Sequence, residues 1–270
     1  MNLKDYASTR KTRGKYKVPK SVQQSIPVEK IYEDGIWKSG DVYSMMCGIS
    51  DISHAMISDE RKKEIQNLYG AIYTAIPTDC WAKFSIISQR MDDQMFRRDI
   101  LMHRGNDGKD DLRAEYNRLV SNGTANVGNV LEHKYLIVST NKKGIKDARD
   151  KLHHAQSKLI GSLSSLGCIV RQMNNNDRLQ VLHNFFRAGE EGHFCFDLSE
   201  CKRLGHDLRD YVAPDAIAFE KDHIKIDNRV AKSMGMIQFL QKLEDKRIAT
   251  LLQQAPYKVC LLYSLWNLIY

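Results

Sequence analysis

Gly123-Thr-Ala-Asn-Val-Gly128 places two glycines at the spacing of a phosphate-binding loop. Such a loop follows a strand and needs a lysine, then a Ser or Thr hydroxyl for magnesium, after its second glycine. Here Asn129 and Val130 stand in those places and the best strand pattern comes afterwards, so the segment is expected to be a flexible connector. Gly105 to Lys109 is likewise a loop with no cradle. His193, Cys195, Cys201 and His206 bring four side chains with metal-ligand chemistry close together in the chain. Structural zinc sites favour closer pairs than Cys201 and His206. The plainer reading puts Phe194 and Phe196 in the core, with Cys201 a small buried residue. His153 and His154 sit mid-helix, where adjacent side chains diverge by about 100°, and Glu190-Glu191 reads as a loop after a helix. Nine histidines and 33 carboxylates make chance pairs inevitable, and geometry rather than proximity in sequence defines a site, so no catalytic, cofactor or metal residue is assigned.

The first twenty residues carry the clearest charge signal. Seven cations (Lys4, Arg10, Lys11, Arg13, Lys15, Lys17 and Lys20) face one anion, Asp5, while the whole 270-residue chain has a formal net charge of +8. The body is therefore close to balanced, which argues against a protein that wraps nucleic acid around a basic face. Arg10, Lys11, Arg13, Lys15 and Lys17 are the candidate contacts for an anionic partner, either DNA phosphates or lipid headgroups. Near an anionic membrane each cation contributes about 1 kcal/mol. A solvated tail is the simpler alternative.

The elements that would position such residues follow from composition and periodicity. A hydrophobic fraction of 42% and a charged fraction of 27% are those of a globular chain. The longest nearly apolar run, Val259 to Tyr270, is shorter than the roughly 20 residues of a spanning helix. The start has no apolar leader, so a cytoplasmic protein is expected, and six scattered cysteines without CxxC read as reduced thiols. Residues 1–20 read as a mobile basic arm. Val28 to Tyr32 and Ile36-Trp37 are expected strands around an Asp34-Gly35 turn, and Val42 to Ile49 is a third. Ser58 caps a helix carrying Ile65, Leu68, Tyr69, Ile72 and Ile76, and Trp81 to Ser88 returns as a strand. A second β-α-β unit runs through Lys134–Ser139, a helix over 145–166 ended by Gly167, and Cys168 to Met173. Asp110 to Val120 is a further helix between the units. Asn176 or Asp177 caps a helix to Phe186. His193 to Asp197 is strand-like, Leu198 to Tyr211 helical, and Phe219 to Ile226 another strand. The expected class is α+β, with ferredoxin-like β-α-β halves and added helices and antiparallel strands. Residues 21–245 form that domain, and 246–270 are left as an apolar tail whose partners lie elsewhere, or as the product of a frameshift.

Several stretches, in order, carry a resemblance. They are Lys17–Pro27, Ile31–Ile36, Glu132–Ser139, Leu182–Glu191, Gly205–Tyr211 and Phe219–His223. Together they resemble the amino-terminal region of conjugal-transfer ATPases of the VirB-four/TraE type, in the branch carried by Gram-positive-type conjugative elements. The resemblance implies an α+β domain that docks on the membrane platform of a type IV secretion channel, peripheral to the inner face of the cell membrane. In that family a motor domain follows, with the P-loop and the magnesium site, and oligomers form through other regions. This chain holds no motor-domain motif, so a truncated or split member is expected, non-catalytic alone and needing neither ATP nor magnesium. The rival reading is a nucleic-acid-binding accessory protein that uses the basic arm.

Overall fold

The computed structural model describes residues 18–52, 58–90, 96–98, 100–105, 107–127, 130–190, 194–232 and 260–266. A four-residue helix, α1 (Val22–Ser25), is capped by Ser21. Strands β1 (Lys30–Ile31) and β2 (Trp37–Ser39) then form a hairpin. Gly35 in its turn has φ +80°, and a Cβ there would lie 3.1 Å from the Met173 carbonyl oxygen. Left-handed backbone and close approach together demand glycine.

Two β-α-β units follow. The first is β3 (Val42–Ile49), α2 (Asp59–Ala75) and β4 (Cys80–Arg90). The second is β5 (Val130–Thr140), α4 (Ile145–Ser165) and β6 (Val170–Gln172), with α3 (Asp110–Val127) between the units. The sheet order is β6-β3-β5-β4 with every pair antiparallel. That is the split β-α-β arrangement of a ferredoxin-like fold, so the chain is α+β as its patterning implies. The outer edge of β3 is shared: β2 pairs with Val42–Ser44, and β6 with Cys47–Ile49.

Strand alternation sorts β3 cleanly. Tyr43 and Met45 join the apolar layer against α2 and α4, and the Cys47 sulfur accepts from the Gln156 side chain of α4. Ser44 faces the opposite side. α4 presents Ala148, Leu152, Ala155, Leu159 and Leu163 at spacings of three and four, all essentially buried. Each buried leucine contributes about 1.5–3 kcal/mol. α2 adds Ile65, Ile72 and Ile76 to the same layer. The helix ends are written locally: the Arg61 amide donates to the Ser58 hydroxyl, and Gly167 (φ +92°) closes α4 with the Cys168 amide on the Leu163 carbonyl.

A second layer lies on the other face of the β2–β3 side. It comprises α5 (Asn175–Phe186), α6 (Leu198–Leu204), a 3-10 turn (Leu208–Tyr211) and a small antiparallel sheet of β7 (Ile217–Phe219), β8 (Ile224–Ile226) and β9 (Arg229–Ala231).

Several expectations are corrected. Gly123 to Val127 is the last turn and more of α3, because no breaker stops the helix at Val120; Gly128 and Asn129 lie outside the described residues. α5 is capped by Asn174, two or three residues earlier than the expected Asn176 or Asp177, in a reciprocal box with Asp177. Residues 194–197 are not a strand, and His193 lies outside the described residues. The helix from Leu198 breaks at Gly205, whose φ of +69° no helix accommodates. Phe219 to Ile226 is two strands folded on each other, Ile224 opposite Phe219. Part of the expected tail is in the main sheet: β10 (Cys260–Trp266) pairs with β4, Cys260 opposite Ile87 through to Trp266 opposite Trp81.

Candidate functional site

α5 is the spine on which the second layer is assembled, and its sequence explains why. Leu179, Leu182 and Phe186 recur at helical spacing and enter one apolar cluster with Ile26, Val28 and Trp37. The position preceding Leu179 on that stripe is Arg178, a charge where an apolar residue is expected.

Arg178 is 5% exposed. One guanidinium nitrogen, Nη1, donates to the Gly35 carbonyl at 2.8 Å and the Ser44 carbonyl at 2.9 Å. Nη2 donates to the Ser44 hydroxyl at 3.0 Å, and the group lies 4.2 Å from the Trp37 ring centroid. Among the described residues no carboxylate pairs with it. Burial therefore disfavours its charge and lowers its pKa to about 9, which leaves it protonated at neutral pH. Beside it the Trp37 indole donates to Asn175, whose amide donates in turn to the Tyr32 carbonyl. This polar knot fastens the second layer to the sheet. Nη1 and Nη2 are taken up by the Gly35 and Ser44 carbonyls and the Ser44 hydroxyl, while the buried Nε has no hydrogen-bond partner among the described residues, so the knot serves to position elements.

The far end of α5 is fastened similarly. Arg187 donates to the Ala213 carbonyl at 2.8 Å and pairs with Glu190 and Asp215, each at 2.8 Å. Arg229 reaches the Phe186 carbonyl from β9. The outer surface of this layer carries exposed apolar side chains, among them Phe185 and Leu204.

A cavity of about 250 Å³ opens at the other end of the ferredoxin-like unit, between Ile49, Phe84, Leu163 and Cys168. Lys134 at its rim is paired with Asp51, and the Ser50 hydroxyl accepts the Ile169 amide at 2.8 Å. Burial pushes the thiols of Cys47, Cys80 and Cys168 up from their ordinary value. These thiols remain protonated at neutral pH and are not activated nucleophiles.

Of the sequence candidates, Arg10, Lys11, Arg13, Lys15 and Lys17 lie outside the described residues. Cys201 is buried and its thiol donates to the His206 carbonyl at 3.3 Å, while Cys195 is exposed. Among the described residues no three His, Cys, Asp or Glu side chains gather around a metal-sized space. His153 is half-buried and His154 exposed on α4. Arg178 was not anticipated from the sequence. Its signal is its place, four residues before Leu182 and eight before Phe186, on an otherwise apolar stripe.

Among the described residues no helix is long and apolar enough to cross a membrane. No model of a known protein family matches the chain, and no curated protein matches it.

Proposed function

We propose that this chain is the amino-terminal docking domain of a conjugal-transfer, type IV secretion ATPase of the VirB-four/TraE type, non-catalytic by itself. It acts by protein–protein contact with the membrane platform of the channel, at the inner face of the membrane. The observation that carries the reading is where the resembling stretches lie. Four of them, far apart in sequence, feed one apolar cluster: Val22 and Ile26, Ile31, Leu182 and Phe186, then Leu208 and Tyr211. Stretches that build one packed layer converge in this way, and the layer's exposed Phe185 and Leu204 suit a partner protein better than a small substrate.

The test mixes the full chain with the solubilised membrane-platform component of the conjugation system that encodes it. Saturable binding is expected, weakened about tenfold by Phe185→Glu or Leu204→Glu with the melting temperature unchanged. Titration with Mg-ATP is expected to give no saturable heat. Absence of platform binding overturns the docking role, and micromolar ATP binding overturns its non-catalytic character. The second reading, nucleic-acid binding, is favoured by the charge of residues 1–20. It would show as steeply salt-dependent DNA binding that vanishes when those residues are deleted.

A further inference from the structure

The strongest unassigned surface is on α3. Leu112, Tyr116 and Leu119 are 67%, 43% and 62% exposed, at spacings of four and three that place them on a single stripe. The flank of the helix that carries Arg113 and Asn117 is occupied by its own approach loop. Arg113 pairs with Asp107 and Asp110, and the Asn117 side chain exchanges hydrogen bonds of 2.9 Å with the Met102 backbone in both directions. The loop adds Ile100 and Met102, 42% and 50% exposed. The topology explains why nothing in the sheet covers the stripe. β5 pairs with β3 only from Lys134 to Thr140, while Val130 to His133 pair with β4 alone. The β4–β5 hairpin therefore runs on past the end of β3, and α3 is carried at its tip.

We infer that α3 is a self-association element, and that the occupant of its stripe is α3 of a second copy of this chain packed antiparallel about a two-fold axis. The spacing is self-complementary. A two-fold axis passing beside Glu115 and Tyr116 sets Leu112 of each copy against Leu119 of the other, with the two Tyr116 rings meeting at the centre. One flank of the stripe carries Glu115 and Arg118, both exposed, and neither has an ion-pair partner among the described residues. The same axis brings Glu115 of one copy within about 3 Å, along the helix axis, of Arg118 of the other. Each pair is repeated by symmetry. Parallel packing would instead place the Glu115–Arg118 flanks of the two copies on opposite edges of the seam, where they cannot pair. The charges thus select the antiparallel arrangement as well as permitting it. A stripe this narrow falls short of the roughly 800 Å² per partner of a standard interface, so the dimer is weak and concentration-dependent.

Sedimentation velocity of the full chain, from low micromolar to a few hundred micromolar protein, reads the equilibrium directly. A reversible monomer–dimer shift is expected. Leu112→Glu combined with Leu119→Glu weakens it at least about tenfold with the melting temperature unchanged, since both leucines are exposed in the monomer. Glu115→Arg weakens it about threefold, and adding Arg118→Glu restores it to within about twofold of the native chain. The rescue is the outcome that separates a two-fold antiparallel pair from general stickiness. A chain that stays monomeric throughout overturns the inference. So does a dimer indifferent to the leucine substitutions, which would point to another surface such as the β10 edge. Binding of the monomer to phosphatidylglycerol vesicles through the same leucines, without self-association, also overturns it.

Discussion

α4 and α3 are long amphipathic helices that flank the same strand, β5, and they meet opposite fates. α4 buries its whole stripe, Leu152 and Leu159 completely, whereas α3 leaves Leu112 and Leu119 about two-thirds exposed. Their sequences do not foretell this. The difference lies in what the strand beside each helix is paired to. α4 leaves β5 after Thr140, where β3, β5 and β4 are all present to form a floor. α3 enters β5 at Val130, where only β4 is alongside. An amphipathic stripe states that a helix needs a partner, and topology decides whether the chain supplies it.

The sharpest way to break this comparison is to truncate α4. Leu159→Ala removes a fully buried side chain from a helix packed against the sheet and α2. The lost transfer energy and the cavity together cost about 3–4 kcal/mol. Urea unfolding followed by circular dichroism should show that fall in midpoint. A loss below about 1 kcal/mol would mean that α4 is not the element that holds the ferredoxin-like unit together.

A smaller effect concerns how the start of α4 is held. Asp79, just before β4, pairs with Lys142 and, at 2.9 Å, with Lys151. Burial pushes its carboxyl pKa up, but the hydrogen bonds from the two lysines outweigh that and hold it at about 2, against an ordinary 3.8. A depressed folded pKa means that the stabilisation is complete above the unfolded value and is lost as pH falls through the folded one. Asp79→Asn should therefore cost about 1 kcal/mol at pH 7, a figure discounted for partial exposure, and the gap to the native chain should close between about pH 4 and pH 2. A gap independent of pH would place the contribution of Asp79 in geometry and not in charge.

These contrasts also mark what could be read from the sequence. β3 and α4 were legible because a short, mostly apolar run over Val42–Ile49 directly after the turn residues Gly40 and Asp41 reads as a strand, and a long 3.6-residue period ending at Gly167 reads as a helix. β10 was not, since a nearly apolar run such as Val259 to Trp266 suits a buried strand and a helix equally, and its partner β4 lies about 180 residues away in the chain. The Phe219–Ile226 hairpin was hidden because its turn, around Asp222, carries no glycine or proline. Arg178 was missed for a different reason: one charge in an apolar stripe looks like a boundary residue until the carbonyls of Gly35 and Ser44 are seen to receive it. The basic arm was legible only as charge, and charge alone does not choose among DNA, lipid and solvent.

The smallest expected effect is the most informative about α3. Leu119→Ala removes as many carbon atoms as Leu159→Ala, but from a side chain that is already 62% exposed. Little apolar area is returned to water and no cavity is made, so the melting temperature of dilute protein should move by the equivalent of no more than about 0.5 kcal/mol. Alanine is also the better helix former by about 0.2 kcal/mol, which acts in the opposite direction. At high protein concentration the native chain should gain stability by mass action if its stripes pair, and the alanine variant should gain less. Melting curves of both chains at two widely separated concentrations therefore distinguish the alternatives. Curves that separate only at the higher concentration place the role of Leu119 between molecules. A variant that is already less stable by 2 kcal/mol or more when dilute would mean that the stripe is covered within the chain itself, and the contrast between α3 and α4 would fall.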